Sequence, residues 1–600
     1  MPNHILTNLQ PQTLILTPTQ NLSDYLQHAY LKQQLQQQRQ SWPSYCCLTI
    51  KQWYQTLWQS YLSTTIDNHY LLLTKQQELI LWGEIISNSA FNQGTLNNQR
   101  LAREAQAAWT FLQTWCCHNQ QQDVLLNANR QAFNHWAEEF ALYCQTKHWL
   151  SQASLADFLA NKIISKTVKL PQHLILVNFI ELTQQDTNFL VSCSKAGITI
   201  SHQQYFHQGN TSSKIMFTDA SDELYTMLAW AQKIRQHDKH SSIAGLVSNL
   251  AEQQDKIRQL STEILNPTEH LILCADQVLA NTAISQHALN LLSLPADNIP
   301  LSAISILLHS PFLLASQQEL AAQLSLDCML RDNYWQDMPW PSLLQLLRQY
   351  KCNFLAKRLS CYYQLRSQQP QLQNISCWAT TFINLLTTAG WPGRTKLTTS
   401  EKQIFQQWQH VLQEMASLSI MLPTAINYPQ ALAYLEVLAT TTHWQQPNTY
   451  HDQENLIITI IEPLEAASTP FTYLWVTGMD DQTWPLTITP TNRFLPYRWH
   501  KQQKLFNTQH QLTTSSKIFA NFKTADKQVI FSAVQQVAKV NNFSTLLKTV
   551  ALTTPEALTL AALPTKSQQI FANKHLEPIS NDQPPPITTA QPLKGGASIF

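Results

Sequence analysis

The sequence predicts an α/β protein made of several units, and three observations carry that expectation. Short β-branched or aromatic runs recur at Thr13–Thr17, His173–Val177, 214–217, 243–247, Leu456–Ile461, 473–477 and 528–531. Polar or turn residues bound these runs, the mark of buried strands. Between them lie long Gln- and Leu-rich stretches, and only 10 glycines occur in 600 residues, so helix is favoured. The length exceeds what a single core supports and implies about three to five domains.

Taken in order, TLILT at Thr13–Thr17 reads as a strand. A helix follows near 21–39, with Leu22, Tyr25, Leu26 and Tyr30 as its apolar residues. Motor ATPases place a glycine-rich loop ending Gly-Lys-Ser/Thr between such a strand and helix; its N–H groups cradle phosphate and its lysine neutralises it. Here the junction is Thr17-Pro18-Thr19-Gln20-Asn21-Leu22, with neither glycine nor lysine. Pro18 also removes a donor, so nucleotide binding is expected to be lost.

Residues 50–161 read as helical and tryptophan-rich, with apolar residues at helical spacing in 101–115 and 134–155. Their aromatic rings suit core packing or, alternatively, a base-stacking platform. HLILV at His173–Val177 is a second strand. Motor ATPases end this strand in Asp-Glu, which holds magnesium and the attacking water. Here the nearest acid is Glu181, four residues past the strand, and it reads as a satisfied surface carboxylate.

A third strand at 214–217 leads into Asp219-Ala220-Ser221-Asp222-Glu223, an N-cap cluster. A helix at 224–235 and a strand at 243–247 follow. Residues 300–440 are again mostly helical, with amphipathic segments at 343–347 and 405–416 and turns at Ser310-Pro311-Phe312 and Trp391-Pro392-Gly393. This block reads as an insertion between two halves of one sheet unit, which the strands at 456–477 and 528–531 resume. After about Val550 the composition turns to Pro, Thr, Ala and Ser, including Pro584-Pro585-Pro586, as in linkers.

Net charge is +1. Proteins that bind chiefly by neutralising phosphates are usually more basic, so tight autonomous DNA binding is not expected, although a balanced total can hide a local basic groove. The 11 cysteines include no CxxC, and Cys46-Cys47 and Cys116-Cys117 are adjacent pairs, which is poor zinc spacing. Cys116-Cys117-His118 reads as buried thiols before it reads as a metal fragment. The pattern fits a reducing cytosol. Neither a secretory signal nor an apolar run of the ~18 residues a membrane span needs is expected.

The most informative stretch is LIITIIEPLEAASTPFTYLWVTGMDDQTWPLTITPTNRFLP at 456–496. It resembles the late motor motif of superfamily 1 DNA helicases, where a strand leads into Thr-x-His-x-x-Lys-Gly-Leu-Glu-Phe. A second strand there ends Val-Gly-Met before an aromatic-Pro pair. Gly478-Met479 and Trp484-Pro485 keep that frame. The helicase His, Lys, Gly and Glu fall on Leu464, Ala467, Ser468 and Pro470. The arginine of a Gln-Ser-Arg motif falls on Gln254, which cannot supply a fixed positive fork. The arginine of a last Thr-Arg-Ala motif falls on Thr524, with Lys523 adjacent. Over nearly its whole length the chain resembles the AddB-like group of DNA repair proteins, relatives of the helicase–exonuclease subunits AddB and RecC. The matching pieces are 14–26, 134–155, 174–185, 223–235 with 243–250, 308–331, 460–496 and 593–599.

The resemblance implies an α/β chain with two degenerate RecA-like (superfamily 1 helicase) sheet domains, each with a large helical insertion. Residues 1–50 with 166–235 would form the first sheet domain and 51–165 its insertion. Residues 236–300 with 440–540 would form the second and 301–439 its insertion, leaving 541–600 as a linker toward a PD-(D/E)XK nuclease domain. That nuclease would hold magnesium through Asp, Glu and Lys and, in some relatives, an iron–sulfur cluster. The chain is expected to stop before it, as a truncated, split or incomplete product, so no catalytic residue, cofactor or metal ligand is expected in this chain. The implied role is a non-catalytic, DNA-binding scaffold subunit of an AddAB/RecBCD-like helicase–nuclease in double-strand break repair and recombination. Its partners would be DNA and an AddA/RecB-like subunit, in the cytoplasm and without a membrane. The alternative is the N-terminal part of a split or truncated exonuclease, or a non-functional remnant of one. Candidate DNA contacts are Trp484, Arg493, Arg498, Trp499, Lys501 and Lys504, with His500 among them. Single-strand grooves interleave aromatics and cations in this way; the competing reading is a solvated loop with its tryptophan packed inward.

Overall fold

A computed structural model describes residues 12–558, apart from 38–45, 65–69, 92–97, 117–127, 165–169, 205–210, 240, 266–269, 275–276, 314–316, 334–335, 394–396, 423, 445–455, 486–491, 496–507, 526 and 536–541. Two all-parallel sheets organise it. The first is built from β1 (Thr13–Thr17), β2 (Cys46–Thr49), β3 (His173–Val177) and β4 (Thr199–Gln203), in the order β2-β1-β3-β4. Strands covered on both faces read as apolar runs without alternation; accordingly Leu14, Ile15 and Leu16 are all buried.

The helices of this half, in chain order, are α1 (Gln20–Gln36), α2 (Ile50–Thr64), α3 (Lys75–Asn88), α4 (Asn98–Thr114), α5 (Ala128–Lys147), α6 (Leu155–Ile164) and α7 (Gln184–Lys195). Leu22 and Leu26 of α1 close one face of the sheet over Ile15, Cys47 and Val177. α2, α6 and α7 close the other, with Trp53 and Tyr54 meeting Phe189 edge-on at 5.3 and 4.8 Å. Helices α3–α5 share a separate core, in which Trp82 lies flat on Phe140 at 4.4 Å. The helical reading of 50–161 therefore divides: α2 and α6 belong to the sheet, α3–α5 stand apart. Trp53, Trp58, Trp82 and Trp136 are all buried, the packing role and not the stacking platform. The stretch 134–155 is no single helix. His148 at φ 54 follows α5, and Trp149–Leu150 forms a short strand beside Leu71–Leu72 before α6 begins.

The second sheet holds β5 (Thr211–Phe217), β6 (Ile243–Leu246), β7 (His270–Leu273), β8 (Leu456–Ile461), β9 (Tyr473–Val476), β10 (Gln528–Val534) and β11 (Ala551–Leu552), ordered β11-β5-β10-β9-β6-β8-β7. α8 (Ala220–His237), capped by Asp219 through Ser221 N–H at 2.9 Å, and α9 (Leu250–Ile264) cover one face. Gly245 in β6 permits the close approach of α8: a Cβ there would fall 2.7 Å from Met227 Sδ. Between β7 and β8 the chain builds α10 (Ala283–Leu292), α11 (Leu301–Leu308), α12 (Gln317–Asp332), α13 (Trp340–Gln349), α14 (Asn353–Ser367), α15 (Ile375–Ala389), α16 (Thr399–Ser417) and α17 (Tyr428–Thr441) around one core. Trp340, Trp378 and Trp391 are buried there, and their indole N–H groups donate to the carbonyls of Pro295, Ile426 and Ile284 at 3.0, 2.8 and 3.0 Å, as buried indoles require. α18 (Pro463–Ala466) and α19 (Thr508–Phe522) cover the other face of the second sheet.

Three boundaries differ from the sequence division. That division puts β5 and α8 in the first sheet unit, yet β5 pairs with β10 from Thr211↔Gln528 to Phe217↔Val534. The helical core starts at Leu279, not at 301, because Ile284, Ala288 and Leu291 share it with Trp340 and Trp378. Within the expected 541–600 linker, Ser544, Leu547 and Val550 are buried and β11 pairs with β5; residues 559–600, including Pro584–Pro586 and 593–599, lie outside the described residues. Among the described residues no helix is long and apolar enough to cross a membrane.

Candidate functional site

The C-terminal edge of the first sheet meets the segment that follows α18. β1 ends at Thr17, whose hydroxyl donates to Thr19 O at 3.0 Å. Thr19 is extended, at φ −128, and caps α1 by accepting Leu22 N–H at 3.4 Å. The sequence comparison with motor ATPases sets this junction against their phosphate loop. Here the Thr19 hydroxyl lies 2.9 Å from the hydroxyl of Ser468. Asn178, directly after β3 and at φ 53, donates its Nδ2–H to Ser468 O at 2.9 Å. From α19, Asn521 donates its Nδ2–H to Ala467 O at 3.1 Å. Ala467 and Ser468, which the sequence comparison sets against the helicase Lys-Gly, are thus gripped from three elements by neutral groups. Two hydroxyls at hydrogen-bonding distance leave no room for a phosphate between them, and none of these contacts supplies a positive charge.

The other residues that the sequence comparison sets against motor positions are likewise neutral or otherwise engaged. Gln254 accepts Gln277 Nε2–H at 3.1 Å. Thr524 donates to Asn521 O at 2.6 Å, capping the end of α19. Leu464 is exposed. Glu181 pairs with His510 of α19 at 3.1 Å, so it is a partnered carboxylate at the joint between the two halves. Beside Thr19, Gln20 donates to Asp24 at 2.6 Å and accepts from Gln52 at 2.7 Å, an amide network where a phosphate-binding lysine would otherwise reach.

A buried carboxyl lies at the C-terminal edge of the second sheet. Glu223, in the first turn of α8, accepts Gly478 N–H at 3.3 Å and bonds the Ser532 side chain. Burial pushes its pKa up, the two hydrogen bonds oppose that, and the charge of Asp480 adds to it. Ser532 also accepts the indole N–H of Trp475 at 2.8 Å. The network ties α8, β9 and β10 together and is closed to solvent. Three thiols are similarly quiet. Burial raises Cys47 to about 11 and Cys144 and Cys193 to about 12, which keeps them protonated and poor nucleophiles at neutral pH. Cys117 and His118 lie outside the described residues. Among the described residues no cluster of three or more His, Cys, Asp or Glu is placed to hold a metal.

Of the candidate DNA contacts, Trp484 and Arg493 lie among the described residues. Trp484 is fully buried, edge-on to Phe522 at 5.9 Å, in the core beneath α19. A base-stacking ring needs an open face, so the inward-packed reading is the correct one for this residue. Arg493 donates to Glu104 of α4 at 2.9 Å, which commits its guanidinium to holding the chain. Arg498, Trp499, His500, Lys501 and Lys504 lie outside the described residues. Sequence reasoning missed the Thr19–Ser468–Asn178 contact, and no local signal marks it, because the partners are 449 and 290 residues apart. It also missed a cationic stretch in α13–α14 that an acid count along the chain reveals. In comparison with known proteins, no family model and no curated protein matches this chain.

Proposed function

We propose that the chain is a non-catalytic, DNA-binding scaffold subunit, built on two degenerate RecA-like halves, that works beside an AddA- or RecB-like helicase–nuclease in double-strand break repair. The observation that carries the reading is the contact of Thr19 and Asn178 with Ser468. It joins the first sheet to the second half where a motor would hold triphosphate, and it does so with neutral hydrogen bonds. A frame of this kind cannot draw DNA by hydrolysing nucleotide and therefore needs a partner that can. Two parallel sheets, each accompanied by a helical block, are the architecture the resemblance calls for. The DNA and partner elements of the reading rest on that resemblance.

The purified chain is to be titrated with a fluorescent ATP analogue, assayed for ATP turnover, and co-expressed with an AddA/RecB-like subunit. The expected result is neither saturable ATP binding nor turnover, together with a complex that survives size exclusion. Saturable binding with turnover would overturn the non-catalytic reading. A chain that ignores both the motor subunit and DNA would overturn the scaffold reading.

A further inference from the structure

Residues 338–400 contain no Asp or Glu, yet they carry Arg348, Lys351, Lys357, Arg358, Arg366, Arg394 and Lys396. With 38 acids in 600 residues, a stretch of 63 would carry about four (63 × 38/600). The neutral total charge conceals this strip. The fold uses two of its cations. Arg358 lies over the Phe354 ring at 4.4 Å and fills the space above Gly390, where a Cβ would fall 1.2 Å from its Nη1. Arg366 lies over Tyr428 at 4.3 Å and donates to Leu292 O at 3.3 Å. Arg394 and Lys396 lie outside the described residues.

Arg348, Lys351 and Lys357 remain. They are exposed, at the end of α13, in the turn and in the first turns of α14. None has a carboxylate within ion-pair distance among the described residues. Glu319 of α12 accepts Phe354 and Leu355 N–H at 2.8 and 3.3 Å and so caps the start of α14. The exposed neighbours of the three cations include the amides Gln345, Gln349, Asn353 and Gln364.

We propose that the exposed α13–α14 edge, through Arg348, Lys351 and Lys357, is a docking surface for the sugar-phosphate backbone of nucleic acid. Cations with interspersed amide donors are what phosphate oxygens recruit. No large exposed apolar side chain lies between 340 and 370, so the surface has nothing to insert into a bilayer. It also lacks the aromatic and apolar anchors of a protein interface, whose buried centre is depleted in lysine. The proposal rests on the nucleic-acid part of the reading above and is independent of the helicase-like frame and of the partner subunit.

The test is fluorescence anisotropy of labelled single-stranded and duplex DNA with the full chain across a salt series. A triple variant carries Arg348→Gln, Lys351→Asn and Lys357→Gln. Asn is chosen at 351 because φ there is 63, a left-handed conformation that asparagine tolerates. A control with the same charge change carries Lys32→Gln, Lys147→Gln and Lys195→Gln, all exposed and far from this edge in sequence. The triple variant is expected to bind about tenfold or more weakly, with a log–log salt slope shallower by about two to three, and the control to bind like the natural chain. Equal loss in both variants, or no loss in either, overturns the surface. A natural chain that binds no DNA overturns it too, while leaving the scaffold reading to the partner assay. Patch-dependent capture of polyglutamate or anionic vesicles with no DNA binding overturns it as well.

Discussion

Asp327 shows how single residues hold the helical block together. Its buried carboxylate accepts from the Ser305 hydroxyl, lies 2.9 Å from His309 Nε2 and accepts Arg331 Nε–H at 2.8 Å, and Arg331 also reaches Ser305 at 3.1 Å. Burial would raise its pKa, but the hydrogen bonds from Ser305, His309 and Arg331 outweigh burial and hold it below the ordinary aspartate value. A depressed folded pKa stabilises at pH values above the unfolded value, near 3.9, and that contribution is lost as pH falls through the folded value. Asp327→Asn should cost about 2 kcal/mol at pH 7 and remove part of the stability loss expected below about pH 4. Urea denaturation at pH 7 and pH 3.5 checks this, and an equal midpoint for both proteins at pH 7 would refute it. The constellation also explains part of the segment 308–331, since His309, Asp327 and Arg331 all lie in it and clamp α11 to α12. A Ser-Asp-His grouping suggests a nucleophile, but the serine donates to the aspartate and not to the histidine, so the Ser–His hydrogen bond of a triad is not formed.

Among elements, the Asn492–Leu495 segment does the most with the fewest residues. Asn492 donates to Glu104 O at 2.7 Å, Arg493 pairs with the Glu104 carboxylate, and Phe494 stacks on Phe133 at 5.5 Å and meets Trp136 edge-on at 5.7 Å. Leu495 is buried in the same core. Chain that follows β9 of the second sheet thus completes the core of α3–α5 in the other half. Phe494→Ala should cost about 3–5 kcal/mol, the usual cost of removing a buried aromatic ring. It should raise hydrogen exchange in α4 and α5 while leaving β1 and β3 protected. Unaltered exchange in α5 would show that the segment only rests on the surface. The contacts of Asn492, Arg493 and Phe494 explain why these residues suit the place. The amide and guanidinium answer Glu104, and the ring answers a gap between Phe133 and Trp136.

At the scale of the whole molecule, the contacts between the two sheets include small polar ones: Thr19–Ser468, Asn178–Ser468 and His510–Glu181. If these hold the halves in one arrangement, a covalent tie at the same point should change little. A chain carrying Thr19→Cys and Ser468→Cys should cross-link readily under mild oxidation, keep its DNA-binding curve, and melt at least as high as the reduced form. Failure to cross-link, or cross-linking that abolishes DNA binding, would show that the halves must part. The inward position of Trp484 is decided at this scale too. The pattern Trp-Pro beside cations suggests an exposed loop, but α19 lies over the ring and Phe522 packs against it. That covering helix begins 24 residues later in the chain, beyond the reach of a local pattern.

The sequence by itself determined where strands and long helices form and which side chains the junction after β1 carries. Strands buried on both faces must be apolar throughout, and a junction without lysine or glycine cannot gain those groups by folding. Tertiary structure alone decided which sheet β5 joins, what Ser468 touches, and whether a given tryptophan faces solvent. The physical reason is that residue pattern sets how strongly a surface avoids water, whereas its partner is settled by competition among complementary surfaces hundreds of residues apart.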